Sequence, residues 1–474
     1  MPQQTTSPLV KVNSRTNRVI RIAEALPGRD FIQGRDRAFI MANDYLHDKA
    51  ATDGGGDLWL VHGHWYDLSS YMDDHPGGRV FIENSRGHDC TEAFEAHHVR
   101  VDAWEQLLKF KVAAPPHAPT TLKPQKFTYN TAWKQIKMRV RKHLVEIGNP
   151  TGETPTLTGL THCAIVAQFL VCAALAARRK SRGLAMLAGL LLVGCWGVGH
   201  GQMHRSRLGR WAFLRWAADL TGFSSDEQTV THAMSHHLFP NTTHDVEITF
   251  GLRAGLFFLT SEPAKASWSP LSMACVGAMA SLSSLLPRLA VRCAHFDVLR
   301  ADVVVPVGLV AAMSALAGSA RTGVELAALM WATYGFVFLP IGISPHHSHD
   351  DVEGRPIKWH EGEQGALEDF ALHQVATTAD HSLWASDAYL SQVLFAGLNL
   401  HTIHHLFPTV DESLHKGILD VLRKENVGGF SDAYEGGPWG GGEQRILDMV
   451  RGLFRMVRDR TYEPVPPSQP SSQR

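Results

Sequence analysis

The stretch Asn399 to Val410 reads NLHTIHHLFPTV and sets His401, His404 and His405 within five positions. Two further clusters precede it. HGQMH contains His200 and His204, and HAMSHH contains His232, His236 and His237. With 27 histidines in 474 residues, an H-x-x-H-H pattern arises by chance about 0.1 times. Core packing does not explain three such clusters, because a buried neutral imidazole needs a partner. On a helix, positions i, i+3 and i+4 share a face and can aim several ring nitrogens at one point. Imidazole suits iron, copper, zinc and nickel. Eight ligands exceed what one ion needs, so two ions are implied. The zinc-protease pattern H-E-x-x-H is absent, since Gly201 and Gln202 follow His200. A pair of non-haem irons that activates O2 fits the set better.

A second constellation lies upstream. HPGG spans His75 to Gly78, and a helical stretch containing Phe94 leads to His97 and His98. The proline and glycines allow a sharp turn beside a bulky ligand. Two imidazoles from opposing helices can hold a haem iron axially and leave no open position, which makes an electron carrier. Such a b-type haem delivers single electrons, and oxygen activation at an iron pair consumes them one at a time.

The elements that must position these groups follow from the apolar runs. Leu157 to Ala177, Gly183 to Gly199, Val303 to Ala320 and Leu326 to Pro345 approach the length of about 20 residues that crosses a bilayer. Leu271 to Leu286 is serine-rich and reads as interfacial or re-entrant. Residues 128–146 read as a basic helix. The loop ARRKSRG is basic, but Lys123 to Lys142 and Arg205 to Arg215 outweigh it, which places both flanks of the first pair in the cytosol. With two hairpins, every histidine cluster falls on that face. A formal net charge of −1 argues against nucleic acid or another bulk polyanion as partner. The six cysteines lie mostly in apolar stretches without a C-x-x-C, so they read as small buried hydrophobes. No apolar run follows the first charges, so no signal peptide is expected.

The upstream segment resembles cytochrome b5 over Leu58 to Val112, through Tyr66 to Leu68, HPGG, the G-x-D-x-T step at Gly87, Asp89 and Thr91, Phe94, and the closing LLKFKV. The resemblance implies axial ligands His75 and His98, because fused members place the second histidine four residues after the phenylalanine. An acidic rim of Asp73, Asp74, Glu83 and Glu92 would suit a basic electron donor. From about residue 155 to 425 the chain resembles the membrane fatty acyl desaturases with a fused cytochrome b5 domain, the front-end type. HHLFPNTTHDVEI resembles their second histidine box, and HQVATTAD with GLNLHTIHHLFP resembles their third-box region. The resemblance implies that His200, His204, His232, His236, His237, His401, His404 and His405 hold two irons. It also implies a further ligand upstream of the third box, with His381 and His373 as candidates. SPHHSHD, with His346, His347 and His349, reads as interfacial surface, and His244, His360 and His415 carry no spacing argument. Two positions depart from the family pattern. His401 stands where glutamine is usual, and Gly201 stands where the first box usually carries aspartate.

The expected fold is multidomain, with a small α+β cytochrome b5-like haem domain followed by an all-α integral membrane domain. That domain would have about four transmembrane helices and a cytosolic, histidine-rich di-iron cap. The division is an arm over 1–50, the haem domain over 51–113, a Pro-rich linker over 114–127, the desaturase domain over 128–460 and a disordered tail over 461–474. The expected reaction is O2-dependent formation of a cis double bond in a long-chain fatty acyl lipid. Haem b, two irons, O2, the bilayer and an NADH-dependent cytochrome b5 reductase are its cofactors and partners, and the endoplasmic reticulum its site. Hydroxylation of an acyl or sphingolipid chain, sphingolipid desaturation, and a membrane-anchored electron carrier remain alternatives. A metal transporter would require ionisable groups inside the spans, which are nearly free of them.

Overall fold

The computed structural model describes residues 54–99, 102–115, 127–205, 209–240, 245, 278–282, 284–286, 288–289, 293, 298–346, 369–436 and 442–451. The expected arm, most of the linker, the start of the Leu271 run, His244, His347, His349, His360 and the tail lie outside these residues.

Strand β1 (Trp59–Val61) pairs antiparallel with β2 (His64–Tyr66). The turn between them has His62 and Gly63 at φ 48° and 73°, the left-handed pair that a two-residue hairpin prefers. Helices α1 (Arg79–Asn84), α2 (Thr91–His97) and α3 (Asp102–Leu108) follow, and β3 (Lys111–Val112) returns to pair with β2. Trp59, Val61, Tyr66, Leu68, Met72, Phe94 and Leu107 form a small separate core.

Helix α4 (Ala132–Glu146) buries Trp133, Ile136, Val140 and Leu144, spaced three and four residues apart so that they line one face. Helix α5 (Thr156–Arg179) and α6 (Arg182–His204) form a tight hairpin. Lys180 takes a left-handed conformation at φ 49°, and the Ser181 side chain accepts from the Leu184 N–H. Ala173, Ala176, Ala177, Ala185 and Ala188 are buried where these helices meet. Small side chains allow the close packing that substitutes for the hydrophobic effect inside lipid.

A short helix, α7 (Ser225–Gln228), runs directly into a π-helix over Thr229–His236. Helix α8 (Ala301–Ala317) ends at left-handed Gly318, and α9 (Ala320–Ile343) starts at Ser319, whose hydroxyl caps Thr322. A 3-10 turn, Ser344–His346, extends α9. Helices α5, α6, α8 and α9 pack together. A Cβ at Gly189 would lie 2.4 Å from the Met330 carbonyl oxygen, so α9 rests on the backbone of α6. Among the described residues, three helices, α5, α6 and α9, are long and apolar enough to cross a membrane, whereas α8 is apolar but has 17 residues. The about four spans expected from sequence are thus confirmed for three, and the fourth run forms the shorter apolar helix α8. Residues 278–282 and 284–286 of the weak run are helical.

The remaining elements form a cap. These are α10 (Phe370–Thr377), α11 (Ala388–Phe395), α12 (His401–Leu406), α13 (Glu412–Glu425) and α14 (Phe430–Gly436). A two-residue parallel pair joins β4 (Asp380–His381) to β5 (Glu443–Gln444). Asp369 organises two helix starts at once, accepting from the N–H groups of Trp133 and Ala371 and from the Thr131 hydroxyl. The cap core joins Trp133, Ile136 and Val140 of α4 to Phe370, Ile403, Phe407 and Leu419, and it includes Ala96 and Val99 from the haem domain. Among the described residues, Cys163, Cys172, Cys195 and Cys293 are free thiols.

Candidate metal centre

Helix α6 brings His200 and His204 to its last turn, one above the other and buried. The π-helix widens the chain locally. The His237 N–H donates to the His232 carbonyl oxygen at 2.9 Å, a five-residue span. His232 and His237 therefore share a face, while His236 points elsewhere. On α12, His401 and His405 share a face and His404 lies off it. All of these histidines are buried.

The consequence is two groups. The ligand nitrogens of His200, His204, His232, His237 and His404 all lie within 4.8 Å of one another, as do those of His236, His346, His401 and His405. Nitrogens bound at about 2.1 Å to one ion sit roughly 3 Å apart when adjacent and 4.2 Å apart when opposite, so both groups suit a single ion each. The groups adjoin, with the His237 and His405 rings stacked at 4.2 Å.

The chemistry of the donor set fits metal. Nε2 of His232 lies 2.6 Å from Nε2 of His200 and 2.9 Å from Nε2 of His237. Neutral lone pairs converging in this way repel unless an ion lies between them. Protonation is disfavoured, because burial and neighbouring imidazoles hold His237, His401, His404 and His405 well below the ordinary histidine range. Nε2 of His404 and of His405 is buried without a hydrogen-bond partner. Outer partners fix the rings. Nδ1–H of His236 donates to Asp245 at 2.9 Å, that of His346 to the Thr377 carbonyl at 2.9 Å, and that of His405 to Gln374 at 3.2 Å. Each leaves Nε2 facing inward.

The structure thus brings together all eight histidines singled out in the sequence and adds a ninth. His346 was read as interfacial surface, but it is buried, with Nε2 2.7 Å from Nε2 of His401. The 3-10 turn after α9 carries it there. The two candidates for the extra ligand lie outside both groups. His373 donates from Nε2 to the Pro240 carbonyl at 3.0 Å, and His381 packs against the Phe395 ring. His415 is buried and donates to the Val410 carbonyl.

In the haem domain the His75 and His98 rings lie 5.9 Å apart between centroids, near the roughly 6 Å that two imidazoles need on opposite sides of one ion with bonds of about 2 Å. Nδ1–H of His98 donates to the Phe94 carbonyl at 3.0 Å and that of His75 to the Gly78 carbonyl at 3.4 Å, again leaving Nε2 available. Burial, with His75 nearby, draws His98 down to about 3, so its ring is neutral. HPGG earns its glycines. A Cβ at Gly77 would lie 2.8 Å from Cε1 of His75, and Gly78 takes φ 95°. His97 turns the other way, and its ring faces His204 of the first iron-type group at 6.2 Å. The acidic rim is smaller than expected, because Glu92 is buried.

A haem-type pair beside paired histidine clusters at the ends of long apolar helices defines a class, that of membrane oxidoreductases with a fused haem-binding domain. The family model described as Fatty acid desaturase matches residues 181–425, and the one described as Cytochrome b5-like Heme/Steroid binding domain matches residues 46–114. The chain belongs to the fatty acid desaturase family, as a member with a cytochrome b5-like domain at its N-terminal side. It is an oxidoreductase with a haem-binding domain and histidine clusters that fit a di-iron site. The cytochrome b5-related protein of Drosophila melanogaster is 28% identical over 404 residues, 82% of this chain and 86% of that one. The acyl-lipid omega-13 desaturase of Chlamydomonas reinhardtii is 47% identical over 58 residues, 12% of each chain. The Delta(8)-fatty-acid desaturase 2 of Arabidopsis thaliana is 30% identical over 153 residues, 31% of this chain and 32% of that one. No solved structure matches.

Proposed function

We propose that this protein introduces a cis double bond into a long-chain fatty acyl lipid in an O2-dependent reaction, with electrons drawn from its own haem domain. In this reading one iron is held by His200, His204, His232, His237 and His404, the other by His236, His346, His401 and His405, and haem b by His75 and His98. His346 takes the role for which His381 and His373 were considered. The haem domain is residues 51–113 and the catalytic domain 128–460.

The observation that carries the reading is the convergence of nine buried histidines into two adjoining groups. Bound there, the iron pair supplies the O2-derived oxidant. The balance is one acyl –CH2–CH2– unit, O2, two electrons and two protons giving –CH=CH– and two waters. The chain's own residues position the acyl group and exclude water. The Trp196 ring stacks on His200 at 4.4 Å and meets Phe338 at 4.3 Å, and Phe338 stacks on Tyr334 at 5.1 Å. These rings form an apolar wall from the spans to the first iron group, suited to an unactivated hydrocarbon. The contact of His97 with His204 supports electron delivery within one chain. An NADH-dependent flavin reductase would reduce the haem. The cytosolic face of the endoplasmic reticulum is the proposed setting.

The test is a fatty acid methyl ester profile from yeast expressing the chain and fed saturated and polyunsaturated acids. A new unsaturated product, absent with His404→Ala, is expected. A hydroxylated product instead would replace desaturation with hydroxylation. No product on acyl or sphingoid substrates, from protein loaded with haem and iron, would refute the enzyme reading.

A further inference from the structure

The departure at Gly201 has a structural counterpart. A Cβ built on Gly201 would lie 3.3 Å from Nη2 of Arg205 and 3.3 Å from Oε2 of Glu412. Both neighbours are ends of side chains, not backbone. Arg205 follows His204 directly. It pairs with Glu412, with Asp411 at 3.0 Å, and donates to the Thr154 hydroxyl at 3.0 Å. Glu412 has further partners. Its Oε1 accepts from Gln392 at 2.6 Å and lies 2.8 Å from Nε2 of His162. Arg205, Asp411, Glu412, His162 and Gln392 are all buried.

The position of this network matters more than its size. Arg205 is one residue beyond the turn of α6 that bears His200 and His204. Glu412 opens α13, which packs against α12 and hence against His404. The pair therefore joins α6, which bears two histidines of the first iron-type group, to α13, the helix packed against α12. A charge this deep is stable only while its partner is in place. Glu412 and Gly201 also compete for one volume, since a carboxylate at 201 would lie against the same guanidinium and against Glu412 itself.

We propose that Glu412 is the positioning carboxylate of the first histidine cluster. Reaching in from α13, it takes the space that an acidic side chain at position 201 would fill, holds Arg205, and fixes the last turn of α6 against α12. This rests on reading the clusters as iron sites.

The experiment uses the full chain purified in detergent. It reads non-haem iron per chain, ferrous affinity against a competing chelator, and haem content as a check on folding. Outer-shell losses weaken metal binding roughly 10- to 100-fold, and that loss is expected at one of the two ions for Glu412→Gln. Gly201→Asp alone should also weaken binding, because two carboxylates then crowd one guanidinium. The double variant Gly201→Asp/Glu412→Gln should bind iron at least about tenfold more tightly than either single variant, because the carboxylate beside Arg205 is restored. Unchanged affinity in Glu412→Gln overturns the proposal, and so does a double variant no better than Glu412→Gln. If Glu412→Gln does not accumulate with haem, the comparison of Gly201→Asp with the double variant decides in the same direction. Wild-type protein without two non-haem irons per chain would overturn the iron reading, and this proposal with it. Wild-type protein with two irons and an indifferent Glu412→Gln would overturn this proposal alone.

Discussion

The haem domain is clamped to the catalytic domain through Glu95, and breaking the clamp should undock it. Glu95 lies on α2's buried face. It accepts from Nζ of Lys137 at 2.7 Å, from the Trp133 indole at 2.8 Å, and pairs with His62 at 2.9 Å. Lys137 also donates to the Glu95 carbonyl at 2.9 Å, and Arg141 reaches the Val99 carbonyl. Burial pushes the Glu95 carboxyl up, but the hydrogen bond from His62, the Lys137 charge and the two further hydrogen bonds outweigh it and hold the group at about 2. Burial draws Lys137 down to about 8, so the pair is still charged at pH 7.

Lys137→Met keeps the stem and removes the charge, leaving a buried carboxylate without its lysine partner. Removing one member of a buried pair costs about 3–5 kcal/mol. A loss of about 3 kcal/mol shifts the docked-to-undocked ratio by roughly 150-fold. Hydrogen exchange should report it as faster exchange of the α2 amides and of the buried α4 face, with the haem spectrum intact. Adding Glu95→Gln to Lys137→Met should recover part of the loss, because no uncompensated charge remains. The acid limit has a definite sign. The folded value lies below the ordinary 4.5, so the Glu95 contribution is complete above pH 4.5 and disappears as pH falls toward 2. Wild-type exchange rates in Lys137→Met, or a double variant worse than the single, would refute the clamp.

Three further outcomes follow from the site. His346→Ala should lower non-haem iron from two toward one per chain, whereas His373→Ala should leave it at two; equal effects would exclude the fourth-ligand role of His346. Asp245→Asn should weaken iron binding at the second group roughly 10- to 100-fold by freeing the His236 ring, read by chelator competition. His98→Ala should abolish the six-coordinate haem spectrum while His97→Ala preserves it; the reverse result would exchange the roles of these neighbours.

Much of this arrangement is legible in the sequence because it rests on short-range periodicity. HGQMH places two ligands on one helix face by spacing alone, and the HPGG glycines announce a backbone that must pass close to His75. The sorting of ligands between the two groups was not legible. It depends on the π-helix, where a five-residue span pairs His232 with His237, and no residue type in THAMSH demands that widening over an ordinary helix. His346 was missed for a related reason. Its partners are His236 and His401, far away in sequence, and it reaches them only because α9 packs against α6 and runs out into the cap. The available signal was that an apolar run ends directly in histidines, a pattern shared with HGQMH at the end of α6.

Glu92, read as part of the rim, and its neighbour Glu95, which the sequence reading did not single out, show where acidic residues mislead most. Acidic residues on a small haem domain read as a solvated rim that could receive an external donor. Burial of both carboxylates, with the Glu95 side chain held by Lys137 and Trp133 of α4, instead marks this face as one turned toward the chain's own catalytic domain. The same docking puts His97 against His204. Asp73 and Asp74 remain exposed, and under the proposed function they are the part of the expected rim left for an external reductase. Under the proposed function, the docked face would pass electrons on and the exposed acids would receive the donor. Such a division is expected of a carrier that stays docked through turnover, because a domain cycling between partners would need one face to serve both.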